Sequence, residues 1–178
     1  MDIILPSNSL ISSIAALSIS DKTECKITIK NENINSFGRL YSINYFSKNF
    51  LEELGIWQSL DKSKITPYKK IEIYKNSEKT IEFSAHDVNV NFLGYIINEN
   101  DLVKNISNKI SSCHEITKSD KLTSLTSNNN LNIISNYKDV CSGKDSINFI
   151  SKDYSQTAIN ITFKHSKKNL KIPRQIFH

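Results

Sequence analysis

The sequence predicts an α/β fold, and three patterns along the chain predict it. Residues 2–29 read in the order strand, turn, helix, strand, because β-type apolar runs alternate with a helical one. A second helix is expected at about 42–54, where apolar residues recur every four positions. From 68 to 83, alternating polar and apolar residues on either side of a polar turn are typical of a β-hairpin. Helices and strands that alternate in this way favour a mixed α/β architecture.

The N-terminal segment is typical of the βαβ unit that opens a dinucleotide-binding domain. Residues 2–5 predict a buried strand, and a turn follows at 6–9. A mostly apolar helix is expected from Leu10, and the β-branched residues 26–29 predict the second strand. In such units, glycines in the first turn let backbone N–H groups approach a pyrophosphate at the start of the helix.

The predicted turn departs from that pattern. The three glycine positions are occupied by Ser7, Ser9 and Ser12. Where the turn needs a positive φ, a serine costs on the order of 1 kcal/mol or more, and its side chain takes space meant for phosphate. The acid that would hold the ribose hydroxyls is displaced too, because Lys30 and Asn31 precede Glu32. The sequence therefore predicts a degenerate Rossmann-like unit, in which a shifted loop could still use Glu32.

The helix expected at 42–54 carries clear start and stop signals. Ser42 or Asn44 can cap its start. Gly55 can end it, since a residue without Cβ takes the left-handed conformation at little cost. The side chains expected to be buried on this helix and at its end are Phe46, Phe50, Leu54 and Trp57.

The second half of the chain predicts more strands and one more helix. A near-continuous apolar strand is expected at 92–97, and residues 111–130 are polar and predict irregular structure. The helix between them has its apolar positions at Leu102, Ile106 and Ile110. Further strands are expected at 131–134, 147–150 and 157–163.

Composition limits the function classes. The chain has 178 residues, of which 38% are hydrophobic and 23% charged, which is ordinary for one globular domain. The net charge of +5 comes from scattered lysines, not clustered with aromatics, so no nucleic-acid binding is expected. The cysteines, Cys25, Cys113 and Cys141, are too widely spaced for a ligand pair, and no metal site is expected. The apolar N-terminus lacks a basic start and is broken at 6–9, which favours a cytoplasmic protein, with the surface of the inner membrane as a peripheral location.

Three phrases occur in one order along the chain: GRLYSINYFSKNFLEELGIWQSL at 38–60, LGYI at 93–96 and DYSQTAI at 153–159. Together they resemble the UbiH-like family, the flavin-dependent aromatic hydroxylases of ubiquinone biosynthesis. The resemblance implies FAD as the family's cofactor and the hydroxylation of a polyprenylated phenol with NAD(P)H and oxygen. It covers nearly all of this chain but only about the first half of the family's length.

The resemblance assigns few site residues. Arg39 matches an arginine that the family places near the flavin, and it is the retained cofactor-binding position. The family's Glu-Asn pair is reversed here as Asn98 and Glu99, and Tyr137 and Lys138 stand where the family has Asp-Gly. No catalytic residue is assigned. FAD is therefore expected to bind weakly or not at all.

The resemblance also implies a domain plan, namely one incomplete FAD-monooxygenase-like domain over 1–178. Its Rossmann-like start lies at 1–60, and part of the mixed or antiparallel substrate-side sheet lies at 61–100 and 145–165. Three interpretations stay open: an FAD-dependent monooxygenase, a non-catalytic pseudoenzyme or scaffold in a ubiquinone-biosynthesis assembly, and a gene remnant. Because part of a fold leaves apolar surface uncovered, a protein partner, a second copy or a membrane surface is expected to cover it.

Overall fold

The computed structural model describes residues 2–5, 7–120, 130–132, 155, 157, 159, 161 and 172–177. The chain forms two compact units. The first unit comprises 1–36 and 103–159, and the second comprises 37–102 and 160–178. The single domain over 1–178 and its internal boundaries stay a prediction.

The helices and strands follow one another in mixed order. They are β1 (Asp2–Leu5), α1 (Leu10–Lys22), β2 (Lys26–Lys30), β3 (Leu40–Asn44), α2 (Tyr45–Glu53), β4 (Thr66–Tyr68), β5 (Lys70–Lys75), β6 (Glu78–Ser84), β7 (Gly94–Asn98), α3 (Glu99–Ser111), β8 (Ile116–Ser119), β9 (Asn130–Asn132) and β10 (Arg174–Phe177). Short 3-10 helices lie at Trp57–Ser59, Lys62–Lys64 and Ala85–Val88.

The first unit is built on a parallel sheet with the strand order β8-β2-β1-β9. Strand β1 pairs in parallel with β2, from Asp2 opposite Lys26 to Leu5 opposite Ile29, so the predicted βαβ unit is confirmed. The buried aliphatic side chains of these two strands are Ile3, Ile4, Leu5, Ile27 and Ile29. Helix α1 contacts β2 and buries small residues, which lets a helix lie close to a sheet.

The prediction of irregular structure throughout 111–130 is wrong in part, because strand β8 lies within that range. Residues 116–119 form a strand parallel to β2. Only Ile116 in it is buried, because β8 lies at the edge of the sheet and needs no continuous apolar run. The strand predicted at 131–134 is found as β9, which pairs with β1, although its bounds are Asn130–Asn132. The strands predicted at 147–150 and 157–163 fall largely outside the described residues.

The second unit has two small sheets, with strand orders β3-β7-β4 and β10-β5-β6. Strands β5 and β6 form the predicted hairpin, which is confirmed. Asn76 and Ser77 at its turn have φ values of 48° and 70°, the left-handed pair that two-residue hairpin turns require. Strand β3 was not predicted; it occupies the stretch where the helix was expected to start and pairs antiparallel with β7.

Helix α2 begins at Asn44, the later of the two caps that the sequence offers, and ends at Gly55 as predicted. The Asn44 side chain accepts a hydrogen bond from the backbone N–H of Ser47 at 2.8 Å. At the other end, Gly55 has a φ of 67°, and its N–H donates to the carbonyl of Glu52 at 2.8 Å. The N–H of Ile56 donates to the carbonyl of Leu51 at 2.9 Å, which completes the Schellman motif.

The predicted buried face of α2 is wrong in part. Leu54 and Trp57 are buried, as expected, but Phe46 is 80% exposed and Phe50 is 36% exposed. Leu51 takes the inner position instead. At 100° per residue, Phe46 lies about 140° around the helix from Leu51. Strand β3 runs directly into α2, so the pairing of β3 sets the phase of the helix, which the spacing of the apolar residues does not show.

Helix α3 has the buried face that its sequence predicts, with Leu102, Ile106 and Ile110 all buried. Over the part of the chain that the structure describes, no helix combines the length and the apolar character needed to cross a membrane.

Candidate functional site

The turn between β1 and α1 is held by a chain of serine hydroxyls. Ser9 is the N-cap of α1, and its Oγ accepts a hydrogen bond from the N–H of Ser12 at 3.1 Å. The Ser12 hydroxyl lies 2.8 Å from the Ser9 hydroxyl and 2.9 Å from the Ser7 hydroxyl. Ser7 and Ser12 are both buried. The serines at the three positions where the sequence pattern expects glycine therefore bind one another.

This turn is not strained, which corrects the cost expected from the sequence. Among the described residues, the non-glycine positions with positive φ are Asn76, Ser77, Asn89 and Ser155. None of the three serines is among them, and Ser9 has the extended values φ −85° and ψ 166°. Serine at these three positions therefore fills the turn without requiring a positive φ.

Glu32, just beyond β2, reaches the same turn. Its Oε1 accepts a hydrogen bond from the backbone N–H of Asn8 at 3.1 Å. The Asn8 side-chain amide donates in return to the backbone carbonyl of Glu32. Ser13 donates through its hydroxyl to Asn8 Oδ1 at 2.8 Å, so Asn8 is bonded on several sides and is buried.

The charge of Glu32 is stabilised locally. Lys30 Nζ lies 2.9 Å from Glu32 Oε2. The hydrogen bond from Lys30 is the main cause that lowers the pKa of Glu32; the Asn8 N–H also lowers it, while partial burial opposes both. The carboxylate is therefore ionised at neutral pH, directly against the turn.

These residues do not fit the pyrophosphate of FAD as a glycine-rich turn would. A bound phosphate needs backbone N–H groups at the start of the helix. Here the N–H groups of Asn8 and Ser12 already donate to Glu32 and Ser9. A phosphate would also meet the Glu32 carboxylate, which carries the same sign of charge.

The second unit contains a different polar cluster, centred on Glu99. This carboxylate is only 2% exposed. Arg39 Nη2 lies 2.9 Å from Glu99 Oε1, and Arg39 Nε lies 3.4 Å from Oε2. The Tyr41 hydroxyl donates to Oε1 at 2.5 Å. The backbone N–H groups of Phe37 and Arg39 donate to Oε2 at 2.8 and 3.2 Å.

The donors determine the electrostatics of this cluster. The hydrogen bond from Arg39, helped by those from Tyr41 and the backbone, lowers the pKa of Glu99 to about 2, although burial works in the opposite direction. Burial is the first cause that raises the pKa of Tyr41, and the Glu99 charge adds to it. Glu99 is therefore ionised at neutral pH, and its hydrogen bonds fix the segment entering β3 to the start of α3.

The contact with flavin that the resemblance assigns to Arg39 stays a prediction. Its side chain is 46% exposed, and the guanidinium lies 5.0 Å from the centre of the Phe37 ring. Its closest charged partner is Glu99. This role of Glu99 is not predictable from the sequence, since no local pattern links an arginine to a glutamate 60 positions later.

The other assigned positions are separate from these clusters. Tyr137 and Lys138 lie outside the described residues. Asn98 caps α3, with its Oδ1 accepting from the N–H of Asn100 at 2.8 Å. The His86 and Asp87 side chains are 3.9 Å apart and strongly exposed, so they face solvent and join neither cluster.

An open groove of about 480 Å³ lies on the sheet formed by β3, β7 and β4. Its lining residues are Leu40, Lys64, Thr66, Ile96, Asn98, Asn100 and Asp101. Lys64 and Asp101 pair with each other at 3.2 Å. The groove therefore offers a ligand an apolar floor and amide groups, with its two charges already paired.

Comparisons with known proteins identify the fold. No protein-family model matches the sequence, and no curated protein is significantly similar to it. A mutant of PqsL from Pseudomonas aeruginosa matches with a TM-score of 0.56 and 11% identity, over 67% of this chain and 33% of its own. The tetrameric form of 2-methyl-3-hydroxypyridine-5-carboxylic acid oxygenase matches with a TM-score of 0.52 and 12% identity, over 66% of this chain and 31% of its own. The p-nitrophenol 4-monooxygenase PnpA from Pseudomonas putida matches with a TM-score of 0.53 and 7% identity, over 66% of this chain and 31% of its own.

The fold is, in part, that of the flavin-dependent aromatic monooxygenases. PqsL itself is described as a probable FAD-dependent monooxygenase. This confirms the predicted α/β fold class with part of the flavin hydroxylase fold. The chain spans about a third of the length of these structures. At such identities the likeness concerns the fold alone.

Proposed function

We propose that this chain derives from the flavin-dependent aromatic hydroxylases, in the ubiquinone-biosynthesis branch that its sequence phrases resemble, and that it does not hold FAD tightly. Weak FAD binding is supported by the turn between β1 and α1, which is filled by side chains of this chain. Its serine hydroxyls bind one another, and the N–H of Asn8 donates to the Glu32 carboxylate. The fold supports an origin among the flavin-dependent monooxygenases, and the sequence phrases at 38–60, 93–96 and 153–159 are what favour the ubiquinone-biosynthesis branch.

The role that follows is a non-catalytic one, as a pseudoenzyme or scaffold in a biosynthetic assembly. In flavin hydroxylases the cofactor supplies the oxygen chemistry, and the protein supplies binding and orientation. The Glu99 cluster consists of groups already bonded to one another, so it offers no alternative chemistry. The chain keeps part of the fold, while the turn that would hold the cofactor is filled by its own side chains.

A partner is part of this proposal. In the second unit, Phe37 is 75% exposed, and Phe46 and Leu40 are exposed as well. Large apolar side chains at a surface favour contact with another protein, including a second copy of this chain. A cytoplasmic location is proposed with it, and attachment to a membrane surface is the alternative that the same side chains would serve.

The test is the flavin content of the purified full chain. We expect a colourless protein, and we expect added FAD to separate from it on gel filtration. A variant with Ser7→Gly, Ser9→Gly and Ser12→Gly should stay colourless too, because Glu32 remains at the turn. A yellow wild-type preparation with near one equivalent of flavin per chain after gel filtration would overturn the proposal and favour the enzyme.

A further inference from the structure

Glu32 places a carboxylate against the β1–α1 turn, and the proposed function does not say what this charge does. We infer that its carboxylate acts as the built-in anion of the β1–α1 turn and thereby excludes nucleotide phosphates. The inference rests on the proposed function, since it names the group that closes the turn.

Reciprocal contacts hold Glu32 at this position. The carboxylate accepts from the Asn8 backbone N–H at 3.1 Å, and the Glu32 carbonyl accepts from the Asn8 side chain. Asn8 is buried and is fixed in turn by Ser13. Side chain and main chain of Glu32 therefore both engage one residue of the turn, which distinguishes it from an acid that only lies nearby on the surface.

The serines and Glu32 differ in what they would do to a phosphate. A hydroxyl can rotate and become a donor, so the hydroxyls of Ser7, Ser9 and Ser12 are chemically compatible with an anion. A carboxylate can only accept, and it repels a phosphate at close range. Lys30 pairs with the outer oxygen of Glu32, at 2.9 Å, and keeps the group ionised. Glu32, more than the serines, is the obstacle.

The experiment compares the binding of inorganic pyrophosphate, which has no ribose for Glu32 to contact, by four full-length proteins: the wild type, Glu32→Ala, Glu32→Gln and Glu24→Ala. Glu24 is an exposed acid of the same unit, so the Glu24→Ala variant carries the same change in charge away from the turn. The Glu32→Gln variant keeps the shape of the side chain and serves if the alanine variant fails to fold. Calorimetry gives the dissociation constant, and the backbone amide signals of residues 8–13 locate the binding.

We expect at least one Glu32 variant to bind pyrophosphate about tenfold tighter than the wild type, with shifts confined to the turn, because the loss of one close like charge at a partly buried site is worth about that factor. The Glu24→Ala protein should match the wild type. Equal affinities in all four proteins would overturn the inference. That result would leave the proposed function standing if the wild type is colourless, whereas a yellow wild type would remove the proposed function itself.

Discussion

The β1–α1 turn and the Glu99 cluster both place a carboxylate against backbone N–H groups and a basic side chain, yet they differ in burial. Glu99 is 2% exposed and accepts from Arg39, Tyr41 and two backbone N–H groups. The Glu32 side chain is 40% exposed and has Lys30 and one backbone N–H as partners. A buried carboxylate with a full set of donors holds structure together, whereas a half-exposed one can be removed at small cost.

The largest expected effect is that of Glu99→Ala. It leaves the hydroxyl of Tyr41 and the N–H of Phe37 without their acceptor, so we expect a loss of about 3 kcal/mol in the free energy of unfolding. Glu32→Ala should cost less, about 1–2 kcal/mol, because its ion pair is largely solvated and the main loss is the acceptor of the Asn8 N–H. Denaturant unfolding of both variants checks this, and equal midpoints would break the comparison.

The next effect is on acid stability. The folded pKa of Glu99, about 2, lies below its ordinary value of 4.5, so the unfolded chain binds this proton first as the pH falls. The contribution of Glu99 is fully present above pH 4.5 and is lost as the pH falls toward 2.

Glu99→Gln has no carboxyl to titrate and should therefore lose about 1–2 kcal/mol less than the wild type between about pH 6 and pH 3. Denaturant midpoints measured across that range test the prediction. If the denaturant midpoints of the two proteins fall in parallel with pH, the pKa of Glu99 in the folded protein is not lowered as expected.

The smallest effect is expected at the helix cap of the turn. Ser9→Ala removes the acceptor of the Ser12 N–H and should cost about 1 kcal/mol. Ser18→Ala, within the same helix, is the control and should be neutral or slightly stabilising, since alanine has the higher helix propensity. Thermal unfolding that ranks the two variants the other way round would remove the capping role of Ser9.

The elements that were predictable from the sequence are those whose signals are local. The βαβ order, the hairpin and the end of α2 at Gly55 each depend on residues close together in the chain. The position of the three serines in the first turn was predictable for the same reason, but their backbone conformation was not, and the expected strain is absent.

What the sequence could not supply depends on tertiary contacts. The contact of Asn8 with Glu32 joins residues 24 apart, and that of Arg39 with Glu99 joins residues 60 apart. Leu51 faces inward in place of Phe46 because of β3, whose pairing with β7 joins residues 50 to 58 positions apart. Each needs the fold before the contact can be seen.

The serine turn also affects which single substitutions this chain can tolerate. Ser12 joins Ser7 on one side and Ser9 on the other, so the three positions share one hydrogen-bonded series. Positions that share partners do not contribute additively to stability. A single serine-to-glycine change removes a partner from its neighbour and leaves Glu32 in place, so it gains no binding to offset the loss. A glycine-rich turn could therefore arise only through several changes together, and selection acting on single substitutions would preserve the turn as it is.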